Sequence, residues 1–268
     1  MSMLQIIVLA VVQGITEFLP ISSSGHLILV PLLTGWKDQG LIVDVMVHMG
    51  SFLAVLVYFW RDVLGMITGA LDLLRGRMTP GGRLALMIVV GTVPAVVFGL
   101  VMKSSGLQDA LRGAPIVTIN AVLFGIVMLL ADTYGRKRRR AEELGLLEAL
   151  FIGMAQAVAI IPGVSRSGIT MSAGLARGLT RAEAARFSFL LGIPAIAGAG
   201  VLVLGEAVRD GVQISSDAAL AGVFTFFVAL AAIAFLMRVI TRVGLIPFVI
   251  YRFVLAAVLL GLMITGHL

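Results

Sequence analysis

The sequence predicts an all-α integral membrane protein, with six transmembrane helices and two re-entrant helix–loop–helix hairpins arranged as an inverted repeat. Composition is the first indication: apolar residues make up 60% of the 268 positions and charged residues only 13%, against about 25% charged residues in soluble domains. The second is a set of apolar stretches long enough to cross a bilayer. The third is a pair of matching Ser/Gly segments, TEFLPISSSGH at 16–26 and IIPGVSRSGIT at 160–170.

The predicted spans each approach the length of about 20 residues that a bilayer requires. They cover residues 41–60, 84–102, 115–133, 187–204, 218–237 and 243–264. The mean hydropathy of +1.10 agrees with one membrane domain over residues 1–268. Because the N-terminal apolar run lacks a basic region and contains Gln13 and Glu17, we expect it to belong to the mature fold and not to be a signal peptide.

Two further apolar stretches, 4–19 and 146–161, each run into a proline and then into a Ser/Gly segment. The apolar pieces that follow, 26–35 and 169–177, are too short to span a bilayer. We therefore predict that each pair forms a hairpin that enters the membrane and returns on the same side. Non-helical backbone at that depth must be surrounded by protein or by a water-filled cavity.

Loop charges predict the orientation of the spans. Loop 61–83 has a net charge of +2 and loop 134–145 a net charge of +3, whereas loop 205–217 has a net charge of −2. Because basic loops remain in the cytoplasm, we place the first two on the cytoplasmic side of the membrane and the third on the outside. The RKRRR run at 136–140 is interpreted as a topology signal, and we expect no nucleic-acid partner.

The two Ser/Gly segments predict internal repeats over residues 1–133 and 146–268. Gln13, Ser22, Ser24 and Gly25 recur 143 positions later as Gln156, Ser165, Ser167 and Gly168. The three spans between the hairpins are an odd number, so the second half begins on the opposite side of the membrane. The hairpin tips can then meet near the midplane and combine their polar residues in one site.

Glu17 is the candidate acid of the first segment, and Gln13 lies one helical turn before it on the same face. A carboxylate inside a membrane is usually functional. Glu17 could bind a divalent cation, could act as an acid or base, or could simply be hydrogen-bonded to hydroxyl groups. The serines and glycines at 22–25 and 165–168 precede short helices, whose free N–H groups suit a phosphate, although serine is also a routine helix cap.

Arg166 and His26 complete the candidate chemistry. The planar guanidinium of Arg166 matches phosphate oxygens, and its alternative is a permanent ion pair with Glu17. His26 directly follows the SSSG run, so it could accept a proton from Ser23 or attack phosphorus itself. We interpret His48, in the first span, as structural. The chain has no cysteine, which excludes thiol chemistry, and it has no Walker loop or other nucleotide motif.

These motifs closely resemble the bacterial undecaprenyl-diphosphatase family, also called bacitracin-resistance proteins. The resemblance rests on QGITEFLPISSSGH at 13–26 and PGVSRSGIT at 162–170, with support from FSFLLGIP at 187–194 and IPFVIYRF at 246–253. It implies hydrolysis of undecaprenyl diphosphate to undecaprenyl phosphate and inorganic phosphate, which recycles the lipid carrier of peptidoglycan assembly. It also implies an active site open to the periplasm.

The resemblance further implies roles for single residues. Glu17 would be the essential acid, Ser23 and His26 the nucleophile or base, and Arg166 the diphosphate clamp. The substrate-binding residues would be Gln13, Ser22, Ser24, Gly25, Gly163, Ser165, Ser167, Gly168 and Thr170. The family is described as needing Mg²⁺ or Ca²⁺, for which Glu17 is the candidate ligand. Because position 13 is Gln and not Glu, the cation would depend on Glu17 and on substrate phosphates.

Two other functions fit parts of the pattern. A prenyl-phosphate flippase or transporter would use the same inverted-repeat site, but binding alone would not require the nucleophile and base of the SSSGH run. A scaffold for cell-wall enzymes would leave Glu17, His26 and Arg166 without a purpose. The partners we expect are the lipid substrate and membrane lipids, and a homodimer is compatible with the sequence.

Overall fold

The computed structural model describes residues 1–106, 111, 113–210 and 214–266, and within these the chain forms eleven α-helices and no β-strand. A short 3₁₀ turn covers Ala141–Glu143. The helices are α1 (Met3–Thr16), α2 (Ser23–Thr34), α3 (Leu41–Tyr58), α4 (Trp60–Leu74), α5 (Pro80–Ser105), α6 (Ala114–Tyr134), α7 (Leu146–Val158), α8 (Arg166–Ala176), α9 (Arg181–Arg209), α10 (Ser216–Val243) and α11 (Ile246–Ile264).

Six of these helices are long and apolar enough to span a membrane, which confirms a multi-pass membrane protein. They are α3, α5, α6, α9, α10 and α11, with 18 to 29 residues and mean hydropathies of 2.0 to 2.6. Each overlaps one predicted span. Several begin earlier than predicted because a polar N-cap residue extends the helix: Thr79, Thr180 and Ser215 each accept a backbone N–H of the first turn.

The remaining short apolar helices form the two expected helix–loop–helix hairpins. Helices α1 and α2 have 14 and 12 residues, and α7 and α8 have 13 and 11. At about 1.5 Å per residue, none of them reaches across the hydrocarbon layer of about 30 Å. These lengths fit a re-entrant arrangement.

The segment 61–83 was predicted as a loop, and that prediction is wrong for most of its length. It contains α4, whose apolar residues Trp60, Leu64, Ile67 and Leu71 repeat at helical spacing on one exposed face. The charged residues at both ends conceal this pattern. The opposite face packs closely on the start of α5, since a Cβ added to Gly69 would overlap the backbone of Gly82.

Close helix packing holds both hairpins in the bundle. Helix α1 lies against α10, and a Cβ at Gly14 would meet the side chain of Val228 at 2.8 Å. Helix α7 lies against α5, where a Cβ at Gly153 would overlap the backbone of Gly91. An aromatic contact joins the first tip to a span: the rings of Phe18 and Phe189 are 5.3 Å apart in an edge-to-face arrangement. The tips are therefore held by rigid elements.

Ion pairs tie the basic connection between α6 and α7 to the second hairpin. Arg139 donates to both carboxylate oxygens of Glu148, one of them at 2.9 Å. The hydrogen bond from Arg139 holds the pKa of Glu148 below its ordinary value, and the same pair raises the pKa of Arg139. Arg186 bridges Asp62 and Glu142, at 2.8 Å for Glu142, and so joins α4 to α9.

Candidate active site

The two hairpin tips touch each other, as the inverted repeat predicts. Arg166 Nη2 donates to Glu17 Oε1 at 2.8 Å, and Ser167 Oγ donates to the carbonyl oxygen of Leu19 at 3.3 Å. Gly25 lies beside Gly163, because a Cβ added to Gly25 would be 3.6 Å from the Gly163 Cα. Residues that are more than 140 positions apart thus share one site.

Glu17 is the centre of this site. It is buried, with 6% relative exposure, and it caps the C-terminus of α1. Its Oε2 accepts hydrogen bonds from Ser23 Oγ at 2.6 Å and from Gln13 Nε2 at 3.1 Å. His48 Nε2 lies 3.7 Å from the same oxygen. Arg166, on the other oxygen, offsets the charge of a carboxylate that burial would otherwise destabilise.

Gln13 presents one unused acceptor to this region. Its Nε2 bonds Glu17 and lies 3.5 Å from Ser51 Oγ. Its Oε1 is buried and has no hydrogen-bond partner among the described residues. A buried acceptor without a partner is unfavourable, so a water, a cation or a substrate hydroxyl group would be stabilised there.

The tips share one backbone geometry. Ser22 and Ser165 adopt left-handed conformations with φ of 77° and 75°, which non-glycine residues rarely adopt and which cost about 1–3 kcal/mol. Their hydroxyls cap α2 and α8 by accepting from the backbone N–H of Gly25 at 3.4 Å and of Gly168 at 3.2 Å. The next residue in each tip begins a helix and points at Glu17. In the first tip it is Ser23, and in the second it is Arg166.

The hydroxyls of the second tip are buried and bonded to protein. Ser165 and Ser167 bond each other at 3.3 Å. Thr170 Oγ1 donates to the Arg166 carbonyl at 2.7 Å and lies 2.6 Å from Ser188 Oγ. Substrate contact by these hydroxyls stays a prediction, because the structure uses them to hold the start of α8. In the first tip, Ser24 is half-buried and 3.4 Å from Ser22 Oγ.

The Arg166 guanidinium lies in a space that a glycine leaves open. A Cβ added to Gly192 on α9 would overlap the guanidinium group. Arg166 Nη1 also reaches the Ser188 carbonyl, at 3.4 Å. Helix α9 therefore fixes the side of the site opposite Glu17.

His26 is placed differently from the arrangement with Ser23 that we considered from the sequence. Its Nδ1 lies 2.7 Å from the Ser22 carbonyl, and its Nε2 lies 2.6 Å from the Tyr251 hydroxyl. Ser23, at the first position of α2, donates to Glu17 instead. The negative carboxylate attracts the hydroxyl, so the described geometry offers Glu17 and not His26 as the base for Ser23.

Sequence reasoning missed four residues at the site. His48, expected to be structural, and Ser51 lie one helical turn apart on α3 and face Glu17 and Gln13. Their spacing on one face of a span is a usable signal. Tyr251 and Arg252 lie on α11, and a charged residue inside a predicted span is itself a functional indication.

The residues present fit a divalent cation only as a partial ligand set. Among the described residues, no group of three or more His, Cys, Asp or Glu side chains could hold a metal. Glu17 offers one carboxylate, which already accepts from Ser23 and Arg166, and Gln13 offers its unpartnered Oε1. Mg²⁺ commonly completes such a set with water and phosphate oxygens.

Comparison with known proteins shows which family the chain resembles along nearly its whole length. The family model described as "Bacitracin resistance protein BacA" matches residues 6–258. The chain is 47% identical over 264 residues to a protein of Ruegeria pomeroyi named undecaprenyl-diphosphatase, covering 98% of this chain and 99% of that protein. It is 48% identical over 264 residues to the protein of that name from Maricaulis maris, covering 97% and 98%. A third, from Alcanivorax borkumensis, is 45% identical over 262 residues, again covering 97% and 98%.

Proposed function

The chain belongs to the bacitracin resistance protein BacA family, and from that premise we propose how its two hairpin tips carry out the hydrolysis of undecaprenyl diphosphate. The products are undecaprenyl phosphate and inorganic phosphate. The first returns to peptidoglycan synthesis as the lipid carrier. The enzyme is therefore a membrane-embedded hydrolase of a phosphoric anhydride.

The hydrogen bond from Ser23 Oγ to Glu17 Oε2, at 2.6 Å, carries the proposed mechanism. Ser23 Oγ attacks the terminal phosphorus while its proton passes to Glu17. The bond from that phosphorus to the bridging oxygen breaks, and undecaprenyl phosphate leaves. Water then hydrolyses the phosphoserine and restores the hydroxyl. A base in hydrogen-bond contact with its nucleophile is the arrangement that such attack requires.

His26 is the proton carrier of the second step in this proposal. Ser23 already donates to a base, Glu17, and is therefore better placed for the first attack than His26, whose ring nitrogens bond the Ser22 carbonyl and the Tyr251 hydroxyl. The half-buried ring of His26 leaves it within reach of water. The imidazole can accept a proton from the attacking water near neutral pH. The alternative, direct attack by His26 on phosphorus, is separated from this mechanism by the trapping experiment that closes the Discussion.

Arg166 binds the diphosphate by exchanging partners. Without substrate it pairs with Glu17, and this pairing keeps both charges compensated in a membrane interior. A diphosphate offers several oxygens to the same planar donors. The backbone N–H groups at the starts of α2 and α8 add to this anion site. As Arg166 moves to phosphate, Glu17 regains the basicity needed to accept the Ser23 proton.

We propose that a divalent cation, Mg²⁺ or Ca²⁺, binds together with the diphosphate. Glu17 and the unpartnered Gln13 Oε1 are the protein oxygens that could hold it. When bound, such a cation neutralises phosphate oxygens. We also propose an inner-membrane location with the site open to the periplasm, supported by the basic residues 136–140, which we expect only cytoplasmic reagents to label.

The test is phosphate release from a prenyl diphosphate by purified protein, with and without a chelator. We expect Ser23→Ala to abolish release while lipid binding persists. Ser104→Ala is the matched control, because among the described residues that exposed hydroxyl bonds only the Val101 carbonyl, at the C-terminal end of α5. A wild-type protein that binds the lipid but releases no phosphate would overturn the hydrolase and favour a carrier.

A further inference from the structure

Two neighbouring side chains of α11 each reach one hairpin. Tyr251 donates or accepts at His26 Nε2 of the first hairpin, with the two rings stacked 5.7 Å apart. Arg252 is fully buried and donates to the Gly163 carbonyl of the second hairpin at 2.8 Å. In the described part of the chain, α11 is thus in hydrogen-bond contact with both tips through adjacent residues.

The contact to the Ser22 carbonyl defines which nitrogen of His26 is available for chemistry. A carbonyl oxygen can only accept, so at 2.7 Å from it Nδ1 carries the proton. Nε2 is then the nitrogen that takes up a second proton when His26 is charged. The Tyr251 hydroxyl lies 2.6 Å from that atom. It can donate to the neutral ring and accept from the charged one, so it suits both states.

Arg252 gives α11 a fixed position at the second tip. It donates to the carbonyls of Asn120 at 2.7 Å and Ala121 at 3.2 Å as well as to Gly163. These acceptors are backbone groups of α6 and of the second tip, which side-chain motion cannot displace. Asn120 reinforces the same loop by donating from Nδ2 to the Pro162 carbonyl at 2.7 Å. The neighbouring Tyr251 is consequently anchored to the tip that carries Arg166.

We propose that Tyr251 is a positioning residue for His26. Its hydroxyl holds the imidazole in one orientation at Nε2, and Arg252 fixes the helix from which it does so. The first hairpin's proton carrier is thereby aligned with the second hairpin's phosphate clamp through α11. This inference rests on the role of His26 in the proposed function, but the contact itself can be tested without activity.

Tyr251→Phe removes the hydroxyl and keeps the ring that stacks on His26. Because a general base contributes about 100-fold or more, losing its alignment should lower kcat by about tenfold and leave KM within about twofold. Tyr134→Phe is the matched control, since that ring is 78% exposed at the end of α6. A tenfold rise in KM with unchanged kcat would contradict a positioning role.

A double variant shows whether Tyr251 acts through His26. In a His26→Gln background, Tyr251→Phe should cause no further loss of the residual activity. If the double variant instead loses activity by the product of the two single losses, the proposal is overturned. If His26→Gln has no measurable turnover, the spectroscopic experiment decides.

That experiment is nitrogen-15 NMR of histidine-labelled protein in detergent. The signals that disappear in His26→Gln belong to His26. We expect them to show a protonated Nδ1 in the wild type, and the Nε2 signal to shift in Tyr251→Phe but not in Tyr134→Phe. An unchanged Nε2 signal in Tyr251→Phe would refute the contact. This result stands even if the wild type releases no phosphate, which would refute the proposed function alone.

Discussion

The two hairpin tips have the same backbone and opposite chemistry. Ser22 and Ser165 share a left-handed conformation and the same cap, and the following residue of each tip bonds Glu17. Ser23 takes one oxygen and Arg166 the other. One repeated element thus places Ser23, the proposed nucleophile, at one oxygen of Glu17 and the guanidinium of Arg166 at the other. These two residues occupy equivalent positions in the repeat.

The second tip also differs in the place of its proline and in what it lacks. Pro20 lies two positions before Ser22, whereas Pro162 lies three before Ser165. Gly163, which follows this earlier proline, has a φ of 87°. Ile160 stands where the repeat would place an acid. In the proposed function the second tip therefore binds substrate and takes no part in proton transfer.

The largest expected effect tests the shared carboxylate. Glu17→Gln keeps the shape but removes the base for Ser23, so activity should fall by at least about 100-fold. Arg166 then loses its anionic partner, and affinity for the diphosphate should be retained or increased. Phosphate release and lipid binding measure the two properties. If Glu17→Gln retained activity within tenfold of the wild type, Glu17 would not be the base for Ser23, and the proposed task of the first tip would be wrong.

Displacing Arg166 should weaken substrate binding, the task proposed for the second tip, and should leave the attack by Ser23 of the first tip intact. Gly192→Ala puts a methyl group where the guanidinium lies, and losing one charged hydrogen bond costs about 1.5–3 kcal/mol. We expect KM to rise by about tenfold or more. Gly198→Ala on the same helix is the control, because nothing lies within 4 Å of a Cβ added there. Equal KM values for these two alanine variants would show that Arg166 does not contribute to substrate binding.

The glycine that follows the displaced proline of the second tip can be tested through stability. Gly163→Ala combines a left-handed conformation with a Cβ that would lie 2.8 Å from the Val117 Cα. We expect it to destabilise the fold by about 1–3 kcal/mol. Gly35→Ala also has a positive φ, of 69°, but no atom within 4 Å of its Cβ, so it reports strain alone. Thermal unfolding in detergent should rank Gly163→Ala as clearly less stable, and the reverse order would be incompatible with a closely packed second tip.

The smallest expected effect concerns the pH dependence of stability at the N-terminal ends of the two hairpins, where α1 and α7 begin. Helix α1 begins with an uncharged capping box from Ser2 and Gln5, whereas α7 begins beside the Arg139–Glu148 ion pair. The pKa of Glu148 is lowered from its ordinary 4.5. The stabilisation that ionised Glu148 gives to the folded protein is therefore complete above pH 4.5. It is lost as the pH falls through the lower pKa that Glu148 has in the folded state.

For such a partly exposed pair the gain is below about 1 kcal/mol. The unfolding temperature of the wild type should fall slightly more than that of Glu148→Gln between pH 6 and pH 3. Parallel curves for the two proteins would show that the pair contributes nothing to the second hairpin.

Local sequence pattern was sufficient for ten of the eleven described helices but not for every contact. The spans follow from apolar length, and the hairpins from breaks at Pro20 and Pro162. Helix α4 was missed because charged residues at its ends dominate its composition, although Trp60, Leu64, Ile67 and Leu71 repeat on every turn of one face. Such an apolar face is found only when the spacing of the apolar residues is examined separately from the charge of the segment.

The sequence indicated Glu17, Ser23, His26 and Arg166 and offered the Glu17–Arg166 ion pair as an alternative, but it did not indicate the other contacts. Convergence of Glu17, Ser23 and Arg166 follows from the odd number of spans between repeats. The Ser23–Glu17 bond joins residues six positions apart and depends on side-chain direction within the first tip. The contact of His26 with Tyr251 spans 225 positions, and no local pattern encodes it, because it arises only when α11 packs beside α6 and the second tip.

Trapping the phosphorylated enzyme tests the division between the tips most directly. A prenyl diphosphate labelled with phosphorus-32 at the terminal phosphate is mixed with enzyme, quenched at neutral pH within milliseconds to seconds, and digested for peptide mapping. We predict transient label on Ser23, almost none in Glu17→Gln, and reduced formation at low substrate in Gly192→Ala. Label on His26, or complete turnover with no labelled protein at any quench time, would contradict the account.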